Sequence, residues 1–330
     1  MDATATANPT DLRLLPVERG TLTLAEYCEL EERLGREVFV GRLERELRLR
    51  TNPLEPFYGN SPVEFADLVR LGLKCLGLYA RGCRNALDLR VETHEINLPC
   101  WPRGLDGYRI LHLSDLHFEN NLRITDRIIA RLPEIPHDLC VLTGDYRART
   151  FGPFELAMHE LARLRAAIPG RVYAVLGNHD SIAMLPYLRR MDLPVLFNEG
   201  VRIGRGDDAF HLAGIDDPHY HRVWDIARSL RLRPDGMPAV LLSHSSLPYR
   251  EAEAAGVSLL LCGHTHGGQL CLPGGMALLN NERAPRRMIR GPWRYRSLAG
   301  YTSRGAGATG VEARYNCPPE ITVHVLRSPP

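Results

Sequence analysis

Five places in this chain put polar, chemistry-bearing side chains directly after a short run that reads as a strand. Asp115 and His117 follow Arg109 to Leu113, and Gly144-Asp145 follows Leu139 to Leu142. Gly177-Asn178-His179-Asp180 follows Val172 to Leu176, Ser243-His244 follows Val240 to Leu242, and Gly263-His264-Thr265-His266 follows Leu259 to Cys262. Residues two apart on an extended backbone face the same side, so Asp115 with His117, and His264 with His266, are metal-ligand pairs for a hard-to-borderline cation. Taken singly, a histidine after a strand is more often a hydrogen-bonded structural residue. Together the five junctions supply four histidines, two aspartates and an asparagine, without counting His179 and Asp180. Such a set suits two cations roughly 3.5–4 Å apart that share one carboxylate, with Asp145 placed to bridge. Mixed nitrogen and oxygen ligation without cysteine favours manganese, with iron or zinc as alternatives, over a structural zinc site. Cys262, as a strand residue, is expected to point into the core.

Buried strands alternating with helices would deliver these side chains. Strands are expected near 109–113, 139–142, 171–176, 209–213, 238–242 and 257–262, preceded by a first strand from Leu87 through Leu98. Helical stretches are expected near 123–132, 154–167, 181–190 and 220–230. This alternation argues for an α/β fold whose loops beyond the strand ends carry the site. The first 85 residues read differently. Thr23-Leu24-Ala25-Glu26 is a capping box that opens a helix through about Leu34. The run Arg42 to Arg50 mixes charge signs and reads as a solvated helix face. Ser61-Pro62-Val63-Glu64 is a complete helix start, and the helix behind it is expected to span about 62–81. Its charges make one narrow stripe and leucines fill the remainder, so it either docks on the domain or lies in a membrane interface. Two units follow: a helical extension, 1–85, and a catalytic domain, 86–330.

With 44% hydrophobic and 24% charged residues the composition is that of a soluble globular protein, and a net charge of +2 gives no global attraction to nucleic acid. Eight scattered cysteines form no C-x-x-C pair, and Met1 to Asp11 lacks the features of a signal peptide. A reducing, cytoplasmic location is expected.

The ordered set D-x-H, G-D, G-N-H-D, a lone histidine and G-H-T-H resembles the calcineurin-like metallophosphoesterase superfamily over about residues 87–328. The resemblance implies an αββα sandwich of two mixed sheets flanked by helices. It implies that Asp115, His117 and His266 hold one divalent ion, that Asn178, His244 and His264 hold a second, and that Asp145 bridges both. His179 would sit beside the substrate phosphate and help protonate the leaving oxygen, with Asp180 orienting it. The implied reaction is hydrolysis of a phosphodiester or pyrophosphate by a metal-activated hydroxide.

Gly267-Gly268-Gln269, Gly214-Ile215-Asp216-Asp217 and the tail from Arg314 to Ile321 are similar to a bacterial subgroup of membrane-associated phosphodiesterases. That subgroup includes a UDP-2,3-diacylglucosamine pyrophosphatase of lipid A synthesis, which makes a nucleotide-lipid the leading substrate and the inner face of the cytoplasmic membrane a possible place of work. The chain departs from the subgroup in its long extension, and from the commoner lipid A pyrophosphatases in carrying His179 where they have arginine. The alternatives are a phosphodiesterase or phosphatase for soluble nucleotides and a non-catalytic scaffold of the same fold.

Arg283 to Arg304 carries seven arginines and no acid. It is expected to be a loop near the site, with Arg286, Arg287 and Arg290 gripping an anionic substrate. Arg147 is a further candidate for the phosphate. Asp216-Asp217-Pro218 is expected to form a turn in which aspartates accept from backbone amides, with no separate metal cluster at His219 and His221.

Overall fold

The computed structural model describes residues 22–51, 65–278 and 282–329. Helices α1 (Leu24–Leu34), α2 (Arg36–Thr51), α3 (Phe65–Cys75) and α4 (Tyr79–Asn85) precede strand β1 (Arg90–Asn97). Then come β2 (Tyr108–Leu113), α5 (Arg123–Arg131), β3 (Leu139–Leu142), α6 (Glu155–Ala167), β4 (Val172–Ala174) and α7 (Leu185–Arg190). The second half holds β5 (Glu199–Arg205), β6 (Asp208–Gly214), α8 (Ile226–Ser229), β7 (Ala239–Leu242), α9 (Tyr249–Ala254) and β8 (Leu259–Cys262). Strands β9 (Gly291–Tyr295), β10 (Leu298–Thr302) and β11 (Glu320–Arg327) close the chain.

The strands form two sheets, in the orders β1-β11-β2-β3-β4 and β5-β6-β7-β8-β10-β9. Alternation along the buried strands builds the layers. Leu139 and Val141 of β3 meet Val240, Leu242, Leu259 and Leu261 between the sheets, whereas Cys140 and Leu142 face the helices, with Leu161 and Leu164. On the far side Leu241 and Leu260 pack with Ile226, Tyr249 and Ala252. Both faces of each central strand are therefore covered, which is why these runs are apolar throughout. The result is the expected four-layer αββα sandwich. Strands β2, β3 and β4 run parallel to one another, as do β6, β7, β8 and β10, so the chemistry-bearing junctions of both sheets emerge at strand C-terminal ends.

Four local expectations are corrected. The expected continuous helix near 62–81 is two helices: Gly77 adopts φ 68°, while Leu78 N–H reaches Leu73 O and Gly77 N–H reaches Lys74 O. This is a Schellman stop, which a residue without Cβ permits at least cost. The start at Ser61 to Glu64 lies outside the described residues. The helix expected over 220–230 shrinks to α8, because the Asp217 carboxylate accepts from the backbone N–H groups of His219, Tyr220 and His221 and folds that segment into a turn. The arginine-rich segment is no simple loop: β9 pairs antiparallel with β10 and buries Trp293, whose Nε1–H donates to Thr302. Finally, the charge run from Arg42 is not wholly solvated. Arg42 is fully buried and donates to both carboxylate oxygens of Asp216, a partner beyond the backbone amides expected for that aspartate.

Helices α1 and α2 pack against the sandwich. The Thr23 capping box forms in both directions, with Glu26 N–H to Thr23 and Thr23 N–H to Glu26. Leu34, Phe39 and Leu43 join the outer core of the first sheet. Arg33 reaches Glu199 and the Val195 carbonyl, and Arg228 returns to the carbonyls of Arg33 and Leu34.

Candidate metal centre

Asp115 and His117 follow β2, Asp145 follows β3 and Asn178 follows β4, all in the first sheet; His244 follows β7, and His264 and His266 follow β8, in the second. The fold brings the seven together on the seam between the sheets, buried. Ligand atoms of Asp115, His117 and His266 lie within 4.8 Å of one another, as do those of Asp145, His244 and His264. Asn178 Oδ1 is 2.9 Å from His244 Nε2. One oxygen lies between the groups: Asp145 Oδ2 is 3.6 Å from His117 Nε2 and 3.2 Å from His244 Nε2.

The backbone here is strained. Asp115, His117, Asp145, His264 and His266 all have positive φ, between 41° and 72°. Each such non-glycine residue costs on the order of 1–3 kcal/mol and persists only where the surroundings over-determine it. Glycines allow the close approaches: a Cβ at Gly177 would lie 2.2 Å from Asp145 Oδ1, and one at Gly263 would lie 1.9 Å from Ser114 Oγ.

The donor set fits divalent cations. His117 Nδ1 donates to the Arg147 carbonyl at 2.9 Å and His244 Nδ1 donates to the Thr143 carbonyl at 2.7 Å, so in each neutral ring Nε2 is a bare lone pair facing the site. His244 Nε2, Asn178 Oδ1 and Asp145 Oδ2 are then three acceptors crowded together, and a proton on His244 or a cation has to sit among them. Burial drives the same conclusion. It pushes Asp145 up to about 7, with His244 opposing and Asp180 and Asp115 adding to the rise. Burial pushes His117 down to about 3 and His266 well below its usual range, while His244 is drawn upward because the aspartates outweigh its desolvation. Carboxylates short of counter-charge beside neutral imidazoles are the donors that bind a metal.

A directed row of hydrogen bonds backs Asp115. Ser114 donates to Asp115 Oδ2 at 2.6 Å and Thr143 donates to Ser114 at 2.7 Å. Thr143 Oγ1 therefore accepts from His112 Nε2, at 2.8 Å, and His112 Nδ1 accepts from His324 Nε2, at 3.2 Å. Burial holds His112 at about 3. An unfolded histidine titrates near 6.5. Below that pH the unfolded chain takes up a proton that the folded chain refuses, so the stability is present above it and lost as pH falls toward 3. For His112 alone, stability should drop by about 2 kcal/mol between about pH 7 and about pH 5. Urea unfolding of metal-free protein at both values measures this. His112→Gln should flatten the dependence, and an unchanged slope would remove His112 from the account.

His179 sits at the edge of the centre, half-buried, with Nε2 3.9 Å from Asp145 Oδ2 and its ring edge-on to His117. Asp180 does not orient that ring. Its carboxylate accepts from the N–H groups of Gly177, Asp145 and Tyr146, holding two strand ends together. The ring's Nδ1 bonds Thr150 Oγ1 at 3.0 Å, and nothing in the sequence signalled Thr150. Arg147 is buried, donating to the Gly152 carbonyl and lying over the Phe154 ring. Arg286 and Arg287 are exposed on a short turn, and Arg290 lies against Cys271 and Gly275. Arg314, in the tail motif, is fully buried and donates to the carbonyls of Arg304, Gly307 and Cys317 beside His266.

A two-sheet sandwich with two groups of buried residues that could hold metal ions at its seam suits a metal-dependent phosphoesterase. The chain belongs to the metallophosphoesterase family: the calcineurin-like phosphoesterase family matches residues 108–268. The metallophosphoesterase YkoQ of Bacillus subtilis is 32% identical over 253 residues, covering 74% of this chain and 92% of that protein. Phosphodiesterase YaeI of Escherichia coli is 29% identical, covering 66% of this chain and 81% of its own. A Bos taurus transmembrane protein with a metallophosphoesterase domain is 28% identical over 92% of this chain and 68% of its own. The protein is thus a metal-dependent phosphoester hydrolase of a family that works with a dinuclear divalent centre. Among the described residues no helix is long and apolar enough to cross a membrane.

Proposed function

We propose that this protein hydrolyses phosphodiester or diphosphate bonds, with Asp115, His117 and His266 holding one divalent cation and Asn178, His244 and His264 the other. Manganese is the preferred metal. The observation that carries the reading is the single Asp145 oxygen between His117 and His244. The pair of cations supplies charge neutralisation of the phosphate and acidification of a water for in-line attack. The chain's own residues do the rest. The buried, strained ligand loops hold the donors in place before substrate arrives. His179, with its ring set by Thr150, faces the position of the departing oxygen. Burial keeps it neutral in the free protein, and the arriving anion favours its protonation. As the phosphorus–oxygen bond to the leaving group breaks, His179 delivers a proton to that oxygen.

The substrate in this reading is a nucleotide-lipid such as UDP-2,3-diacylglucosamine, met at the membrane surface. Its support is α3, which leaves Leu68 and Leu71 exposed beside Lys74, together with Leu76 just beyond its end, while Arg70 ties the helix to Glu312 and the Gly310 carbonyl. Arg286, Arg287 and Arg290 would meet the anionic headgroup, with Arg147 behind the phosphate.

The test uses Mn²⁺ with bis-p-nitrophenyl phosphate, p-nitrophenyl phosphate and UDP-2,3-diacylglucosamine, each with a chelator control and with anionic vesicles present or absent. Chelator-sensitive turnover of the diester and the lipid nucleotide is expected, with flotation on vesicles that Leu68→Ser with Leu71→Ser abolishes. Turnover of the monoester alone would displace the diester reading. Flotation equal in the leucine variant would remove the membrane contact, and a KM unmoved by alanine at Arg286, Arg287 and Arg290 would remove the arginines.

A further inference from the structure

The metal-ligand loops come from two sheets, and what holds those loops in register is not confined to the sandwich. Arg42, in the middle of α2, is fully buried. Its Nη1 donates to both oxygens of Asp216, in the loop after β6 of the second sheet, at 2.5 and 2.6 Å. Its Nη2 donates to the carbonyl of Asp180, in the loop after β4 of the first sheet, at 2.6 Å. One turn further along α2, Glu46 accepts from Ile182 N–H and Ser181 Oγ, both at 2.8 Å, and from Arg42 Nε at 2.9 Å. Two side chains of the extension thus grip three consecutive residues, Asp180, Ser181 and Ile182, directly behind Asn178 and His179. The grip continues inward, because the Asp180 carboxylate accepts from the backbone of Asp145 and Gly177. On the other arm, Asp217 next to Asp216 holds the turn that carries His219, whose ring lies 4.1 Å from that of His264.

We infer that Arg42 is a positioning residue for the metal centre, with Glu46 in support: α2 staples the active-site loops of the two sheets together across their seam. The planar guanidinium fork is what this requires, since it can serve a carboxylate on one loop and a carbonyl on the other at once. An ammonium at the same place could keep the charge without the fork. The inference rests on the reading that Asn178 helps hold a metal ion and that His179 serves the reaction beside it.

Removing Arg42 alone strands a buried carboxylate and risks unfolding the protein. The main test is therefore the neutral pair Arg42→Gln with Asp216→Asn, alongside Arg42→Lys, Glu46→Ala and a control, Arg33→Gln. The control loosens the same extension where it meets Glu199 and Val195, away from the loop. Each full-length protein is assayed for Mn²⁺ binding by calorimetry, kcat and KM on bis-p-nitrophenyl phosphate, melting temperature, and deuterium uptake of residues 177–184. The neutral pair should weaken Mn²⁺ binding or lower kcat by about 10–100-fold, the scale for groups that orient ligands, with KM little changed and faster uptake in 177–184. Arg42→Lys should recover part of the loss and Glu46→Ala should show a smaller one. The control should lower the melting temperature without lowering kcat. A folded neutral pair, or a folded Glu46→Ala should the pair not fold, with Mn²⁺ affinity, kcat and uptake within twofold of wild type overturns the inference. So does a control that loses as much kcat as the pair. Wild-type protein that binds no Mn²⁺ would instead overturn the metal-site reading beneath it.

Discussion

Asp145→Asn is expected to abolish two-site metal binding while leaving the protein folded. The asparagine Oδ1 can still accept from the His179 N–H, as Asp145 Oδ1 does at 2.9 Å, so the loop keeps its backbone anchor. What disappears is the anionic oxygen that faces both ligand groups. Calorimetry with Mn²⁺ should show at most one weakened site, and kcat should fall by about 10²–10³-fold, the scale for losing one preorganised charge-stabilising group. The metal-free variant should melt no lower than wild type, because burial disfavours the Asp145 carboxylate when no cation is near. Two Mn²⁺ ions bound at wild-type affinity would contradict the bridging role.

His179→Ala separates chemistry from metal binding. The imidazole stands at the edge of the centre and, unlike the seven proposed ligands, is held by Thr150 at the mouth. The variant should bind two Mn²⁺ ions as wild type does and lose about 10²–10⁴-fold in kcat, the range for a positioned proton donor. KM should change little, since the loss falls on the transition state. Metal lost together with turnover would show that His179 serves the centre rather than the leaving group. Substrates with a good leaving group such as p-nitrophenolate should suffer least, because they need no proton.

Much of the sandwich was legible because its central strands are covered on both faces. The runs at 139–142, 239–242 and 259–262 are apolar at every position, and burial on both sides is the only arrangement that suits them. The edge elements were harder to read. Strand β9 carries Pro292 and Arg294, as an edge strand can, and its arginines made a hairpin look like a loop. The candidate metal-binding residues were legible because each follows a buried run, and spacing alone paired Asp115 with His117 and His264 with His266. Their supports were not. Thr150 is an ordinary threonine in sequence, and the helpers of Asp115 at His112 and His324 sit on strands far apart in the chain. Asp180 looked like a partner for its neighbour's ring, yet backbone amides nearby claimed its carboxylate. Arg42 is the plainest case: in a run of alternating charge, a side chain meant for water and one meant for a buried aspartate are written alike.

The distance along the chain from Arg42 to Asp216 has a consequence for biogenesis. The two are 174 residues apart, and synthesis proceeds at roughly 5–20 residues per second, so the arginine waits on the order of ten to thirty seconds for its partner to be made. For the first part of that interval α1 and α2 have Leu34, Phe39 and Leu43 ready before β2, β3 and β4, against which they pack, have been made. Helix α2 therefore reaches its final setting late, and until then the nascent chain carries an apolar face that depends on what has not yet left the ribosome. The same dependence runs backwards: a chain begun at residue 86 would leave Asp216 without its cation.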